Sequence, residues 1–260
     1  MAIKLGNKNI NKAYLGGVEI KKLYLGENLI FDNTFIPNQM FDNAVAYYRL
    51  DETTGDAIDL VNGYNGTLNG AISRDGEYYT FNAENEFVDI GNEDDFSFTD
   101  GTNNTDFVVK TEVIFNGIST RDAAWLVSKR QNFNEAFEEW QLAFFNNQIL
   151  FAIWNTSNNQ FEVRTDFIPT VGQKYILGVT LNGNTLSLFI NGVIEQTENL
   201  PVGFTFVNGL SVVKLGDETF TTRLNLIGKL KETVIVKGNG WTQQNITDNY
   251  NGGAGITYNL

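Results

Sequence analysis

Two short stretches, Thr180-Leu181-Asn182-Gly183-Asn184-Thr185 and, four residues on, Phe189-Ile190-Asn191-Gly192-Val193, decide the fold class. Each holds an Asn-Gly pair between apolar runs, and Asn and Gly are the residues that enter positive φ most cheaply in a tight hairpin turn. Phe145-Asn146-Asn147-Gln148 reads as a further turn of the same kind. Outward from these turns the chain reads as a β-meander from about Trp125 to Gln196, with a closing strand near Lys229 to Lys237. One stretch, Thr242 to Tyr250, reads as a helical turn. Long antiparallel strands with frequent turns predict an all-β sandwich or jelly roll.

Composition agrees. Thr, Val, Ile, Phe, Tyr, Asn and Gly abound, a mixture that suits strands joined by turns. A length of 260 residues with 42% hydrophobic content is enough for one large sandwich core. The net charge of −13 argues against a nucleic-acid partner, which would require clustered Lys and Arg. There is no cysteine and no histidine, which removes disulfides, zinc-thiolate sites and His-based nucleophilic catalysis. The opening Met1-Ala2-Ile3-Lys4-Leu5-Gly6 lacks the apolar run of a secretory signal, and no stretch approaches the length of a membrane-spanning helix, so membrane insertion is not expected.

The first thirty-odd residues repeat with a period of ten. Leu5-Gly6, Leu15-Gly16 and Leu25-Gly26 recur, followed by Ile10, Ile20 and Ile30, with Lys12 and Lys22, Tyr14 and Tyr24 in phase. Each unit reads as a short strand entered from a Gly turn, giving a three-stranded β-ribbon over residues 1–35. Such a ribbon buries too little to stand alone, so it reads as an anchor or docking segment, or else as a decorated first hairpin of the main domain. A turn-rich connector then leads to the sandwich, residues 40–260.

One strand needs cover on both sides. In Ile149-Leu150-Phe151-Ala152-Ile153-Trp154 the two alternating faces are both apolar, while a two-layer sandwich needs one. A loop, a ligand groove or a neighbouring chain would supply the cover. With the ribbon, this predicts a homo-oligomer or attachment to a larger assembly through residues 1–35.

The stretch Tyr47-Tyr48-Arg49-Leu50-Asp51-Glu52-Thr53-Thr54-Gly55-Asp56-Ala57-Ile58-Asp59, with Gly63-Tyr64-Asn65-Gly66-Thr67-Leu68 after it, resembles the entry of the laminin-G-like domains of the concanavalin-type jelly-roll superfamily. Phe87 to Gly91, Leu177 to Thr180, Leu188 to Val193 and Gly228 to Ile235 resemble later strands of the same family, so the likeness spans about residues 43–252. The decade repeat, ending Lys21 to Asp32, resembles N-terminal segments of bacteriophage and prophage structural proteins. This implies a virion protein, in the tail, a fibre or a capsid decoration, whose partners are other virion proteins, further copies of itself and cell-surface glycans. A bacterial cell-surface or extracellular carbohydrate-binding module is the alternative.

Glycoside hydrolases on this fold use alternating acids on one strand, and that pattern is absent. The acidic clusters Glu93-Asp94-Asp95 and Glu135 to Glu139 read as a solvated turn and a loop rim, so no catalytic residue is expected. The resemblance implies a structural Ca2+ site on Asp59 and Asn65, with Glu232 joining from the closing strand; Asx turns are the alternative for the first two. Glycan binding requires exposed aromatic platforms, for which Tyr64, Trp125, Trp154 and Trp241 are the candidates by residue type.

Overall fold

The computed structural model describes residues 41–253 and 255, apart from 84, 92, 118–122, 131–137 and 218–225, together with the backbone of six short strands among the first forty. The chain divides into two compact units, residues 1–40 and 41–260.

In the first unit β1 (Lys4–Leu5) pairs with β2 (Lys8–Asn9), β3 (Ala13–Leu15) with β4 (Val18–Ile20), and β5 (Lys22–Leu25) with β6 (Asn28–Asp32). Leu5 lies opposite Lys8, Leu15 opposite Val18 and Leu25 opposite Asn28. The expected three-stranded meander is therefore three separate hairpins. One decade is used up by a whole hairpin rather than one strand, because each leucine-bearing strand pairs with the strand that follows it in sequence.

The second unit is an all-β antiparallel two-sheet sandwich with one short helix. Its strands are β7 (Ala44–Tyr48), β8 (Thr67–Asn69), β9 (Ser73–Arg74), β10 (Tyr79–Phe81), β11 (Phe87–Gly91), β12 (Phe107–Phe115), β13 (Ala123–Lys129), β14 (Trp140–Phe145), β15 (Gln148–Trp154), β16 (Gln160–Asp166), β17 (Lys174–Asn182), β18 (Thr185–Ile190), β19 (Val193–Asn199), β20 (Val213–Leu215) and β21 (Gly228–Lys237); α1 (Gln243–Tyr250) follows. One sheet runs β19-β18-β17-β12-β21-β10-β9, with β7 also paired to β21; the other runs β16-β15-β14-β13-β20-β11-β8. The run read as one meander divides between the sheets, since β16 ends one and β17 opens in the other.

The turns carry their residue chemistry. Asn191 and Gly192 both have positive φ (48° and 86°), as do Asn146 and Asn147 (52° and 61°). At the first Asn-Gly pair the loop is shifted by one: Asn182 pairs with Thr185, so Gly183 (φ 62°) leads the two-residue loop.

Between the sheets lies the core. Phe98 stacks on Phe107 at 4.0 Å and 7°, and on Trp140 at 5.2 Å. Each sheet also carries an apolar cluster on part of its outer face. On the β16–β8 sheet, Ile149, Phe151 and Ile153 point into the core, while Leu150, Ala152 and Trp154 form a second buried cluster against Phe145 and Val207. The Val207 N–H donates to the Trp154 carbonyl at 3.1 Å, so the chain's own loop contributes the cover. The double-faced strand thus gives no reason to expect a second copy.

On the β19–β9 sheet the outer face is covered by the segment leading into α1. Trp241 stacks on Phe189 (6.2 Å, 26°), meets Phe41 edge-on (6.1 Å, 82°) and donates its backbone N–H to Thr180 Oγ1 at 2.7 Å. Gly178 makes this possible: a Cβ there would come within 2.3 Å of the Phe189 ring. Thr242 caps the helix reciprocally with Asn245. No helix among the described residues is long and apolar enough to cross a membrane.

Candidate functional site

The opening motif folds into a loop organised by one carboxylate. Asp59 Oδ1 accepts the N–H groups of Tyr47 (2.9 Å) and Val61 (3.1 Å), and Oδ2 those of Asn62 (2.9 Å) and Tyr64 (3.1 Å). Asn65 Oδ1 accepts the Asp59 N–H at 3.0 Å. Glu232 donates its backbone N–H to the Arg49 carbonyl at 3.1 Å, but its carboxylate does not join Asp59: it sits at φ 43° on β21 with Oε1 3.1 Å from Lys110 Nζ. Calcium requires free oxygen lone pairs, whereas four N–H donors already point at Asp59. No group of three acidic side chains is placed to hold a metal among the described residues. Asp59, with both oxygens taken by backbone donors, does not fit the cation as a ligand.

The four aromatic candidates fall in three places. Tyr64 is half-buried, edge-on to Phe96 at 5.3 Å, and donates its hydroxyl to Asp95 Oδ2 at 2.7 Å. That hydrogen bond leads the causes that push its phenol up to about 12. Trp241 is 1% exposed and belongs to the cover described above. Trp125 and Trp154, 4% and 5% exposed, lie on the outer face of the β16–β8 sheet. None of the three tryptophans is a platform open to solvent, because each packs on an apolar outer face that residue type alone does not reveal.

Trp125 and Trp154 are joined through a polar network. Trp125 Nε1 donates to Gln141 Oε1 at 2.9 Å, and Arg130 Nη1 donates to the same oxygen at 2.8 Å. Arg130 Nε and Nη2 donate to Glu138 Oε1 at 3.1 and 2.9 Å, and the guanidinium carbon stands 5.4 Å from the Trp154 ring centroid. Register places these groups: Trp125 lies opposite Ala143, which lies opposite Leu150, and Gln141 lies opposite Ala152. A bulge between Trp125 and Val127 lets Leu126 and Val127 both enter the core while Trp125 faces out. The small residues Ala123 and Ala143 pack against Trp125, and Ala152 lies in the cluster with Trp154. Arg130, Glu138 and Gln141 were missed in sequence. Their signal is polar residues that recur beside tryptophans in otherwise apolar strands.

The acidic cluster expected as a loop rim is not one at its C-terminal end. Glu138 and Glu139 are 6% and 1% exposed, and each has its own cation on an opposite side of the strand. Glu139 meets Lys129, whose amine also donates to Ser97 Oγ at 2.7 Å. Burial pulls the Lys129 amine down and pushes the Glu139 carboxyl up, each opposed by the partner's charge. Glu93, Asp94 and Asp95, by contrast, are exposed around a 3₁₀ turn. The network offers fixed hydrogen-bond donors, an acceptor and indole faces. Glu138 and Glu139 are each committed to a cation and do not pair as acid and base.

No family model matches the chain, and no curated protein matches it. Solved structures do. The binding domain of Paraclostridial Mosquitocidal Protein 1 aligns at TM-score 0.66 and 15% identity over 82% of this chain and 53% of that one. The receptor-binding domain of botulinum neurotoxin C/D mosaic serotype aligns at 0.60 and 14% over 81% and 51%. The ligand-binding domain of botulinum neurotoxin serotype D, in complex with N-acetylneuraminic acid, aligns at 0.59 and 13% over 83% and 52%. The chain spans about half the length of these domains. At such identities the likeness is one of fold: this chain is a two-sheet antiparallel β-sandwich resembling the botulinum neurotoxin receptor-binding domains.

Proposed function

We propose that residues 41–260 form a carbohydrate-recognition module and that the chain carries no catalytic activity. The observation behind this reading is the fold shared with receptor-binding domains, one of them solved with N-acetylneuraminic acid. Because the likeness covers half of that domain, the sugar contacts themselves are not transferred. The laminin-G-like entry motif supports the same class, and the pairing of Glu138 and Glu139 with cations supports binding over hydrolysis.

Within this reading the protein belongs on a surface that meets host or environmental glycans, a phage virion first and a bacterial cell surface second. The decade repeat supports the virion, and its three hairpins form the docking element. The full chain on an array containing sialylated and neutral glycans is expected to bind one class saturably. A folded chain that binds no glycan would overturn the proposal and leave an architectural role. Removal of residues 1–35 is expected to abolish assembly; a truncated chain that assembles as before removes the docking role.

A further inference from the structure

We propose that the side chains of Lys110 and Asn249 are joined by an amide bond which the folded protein makes for itself, with Glu232 carrying the proton. Three buried polar side chains have atoms that no hydrogen bond satisfies, and each supplies one part of that reaction. Lys110 lies in the middle of β12, the strand between β17 and β21, and is fully buried. Its amine makes no hydrogen bond, and Glu232 Oε1 stands 3.1 Å away. Glu232 is 6% exposed, and that same Oε1 makes no hydrogen bond. Asn249, on the buried face of α1 with Ile246, is 1% exposed, and neither its Oδ1 nor its Nδ2 has a partner. Buried polar groups are almost always satisfied, and leaving several unsatisfied costs a great deal.

The topology joins Lys110 to Glu232 and carries the helix bearing Asn249 over the same face. Outer-face residues of β17 alternate as Thr180, Gly178 and Ile176, and Lys110 pairs with Gly178. The segment bearing α1 crosses that face. It starts at Trp241, bonded to Thr180 Oγ1. Beyond the helix it reaches Gly255, where a Cβ would lie 3.4 Å from Glu232 Oε2 and 4.0 Å from Ile176 Cδ1. The Gly255 N–H is in turn bonded to the carbonyl of Tyr250, the residue next to Asn249, at 3.1 Å. Glu232 owes its position to a register slip between Lys110 and Glu112, which leaves it at φ 43°. A non-glycine residue held in the left-handed region at a bulge is strained backbone, of the kind that gathers where a side chain must be aimed.

The chemistry balances without any added reagent. Glu232 takes a proton from the Lys110 ammonium, and the neutral amine attacks Cγ of Asn249, forming the new C–N bond. Glu232 then returns that proton to the carboxamide nitrogen and takes the second one from the attacking nitrogen; the old C–N bond breaks, and the ammonia leaves as ammonium with that last proton. Proximity in a site closed to water is what makes such an attack competitive. The new amide N–H is left facing Glu232. The product ties the central strand of one sheet to the C-terminal helix, a covalent closure that a chain without cysteine cannot make by disulfide.

Intact-mass measurement of the denatured full chain tests this. The wild-type chain is expected to weigh one ammonia less than its 29.1 kDa sequence. Tryptic mapping should yield a branched peptide joining positions 110 and 249, with no cleavage after Lys110. E232Q and N249A should return to the full sequence mass. A wild-type chain at full mass, cleaved after Lys110, overturns the proposal, as does an ammonia loss mapped to other residues. A cross-linked E232Q chain removes Glu232 as the proton carrier. If the variants do not fold, the wild-type map decides by itself.

Discussion

Both sheets of the sandwich carry a covered cluster on the outer face, yet the polar groups of the two clusters described above are satisfied to different degrees. On the β16–β8 sheet every donor of the described network has an acceptor: indole to Gln141, guanidinium to Gln141 and Glu138. On the β19–β9 sheet, Lys110, Glu232 and Asn249 are left with atoms that no hydrogen bond satisfies. A satisfied network fixes side chains in place and suits recognition. An unsatisfied one is a reservoir of unfavourable energy, which a reaction between its members would relieve. The cover differs too. A helix and its leading tryptophan close one face, while the other is closed partly by a loop valine and the network's own guanidinium.

The largest expected effect tests the helical cover. Trp241→Ala should cost about 3–5 kcal/mol in denaturant unfolding, the range for deleting a buried indole. A loss below about 1 kcal/mol would mean that α1 is an ornament on that sheet. On the opposite face Arg130→Met alone should cost about 3–5 kcal/mol, because Glu138 is left charged and buried. The double variant R130M/E138L should recover most of that loss, since well-packed apolar replacements of a buried pair are close to neutral. If the double variant is as unstable as the single, the pair is not an isolated two-body contact.

The loop that carries the chain from β7 in one sheet to β8 in the other comes next. Asp59→Ala should cost about 2–3 kcal/mol through its orphaned N–H donors. Millimolar calcium or a chelator should move the melting temperature by less than about 1 °C, because the Asp59 oxygens are already taken by four backbone N–H donors. A clear rise with calcium would sharpen the comparison differently, by making that loop a metal clamp between the sheets.

The smallest effect is in acid. Backbone N–H groups of Tyr78 and Glu77 hold the Asp75 carboxyl below its ordinary 3.8, and those of Asn103 and Thr102, with the Asn103 side chain, do the same for Asp100. A depressed carboxylate contributes stability above its unfolded value that is lost as pH falls through the folded one. Stability should therefore be flat above pH 3.8 from these two groups and decline below it. The double variant D75N/D100N should flatten that decline in a pH series of melting curves.

Local signals were legible wherever neighbouring residues decide the outcome. The Asn-Gly pair at 191–192, the Asn146-Asn147 turn, the closing strand and the helix capped by Thr242 follow from residues that are close in the chain. The one-residue shift at Asn182-Gly183 shows the limit: the pairing of Asn182 with Thr185 chose which two residues turn. Lys110 did leave a trace, a lone cation inside Phe107-Val108-Val109-Lys110-Thr111-Glu112-Val113. Its neighbours in sequence say nothing of Glu232 or Asn249.

By itself the sequence determined the class of the fold, its hairpins and its one helix, because hydrophobic alternation and turn chemistry act over a few residues. It also determined what the protein lacks, any chemistry that runs on histidine or cysteine. Only the tertiary structure decided that a decade is a hairpin, that the tryptophans are covered, and that Asp59 spends its oxygens on backbone. It alone brought Trp125 to Gln141, Arg130 to Trp154, and Lys110 to Glu232. Those meetings depend on sheet order, on two bulges and on the path of one helix, and a sandwich sets these through contacts between residues far apart in the chain.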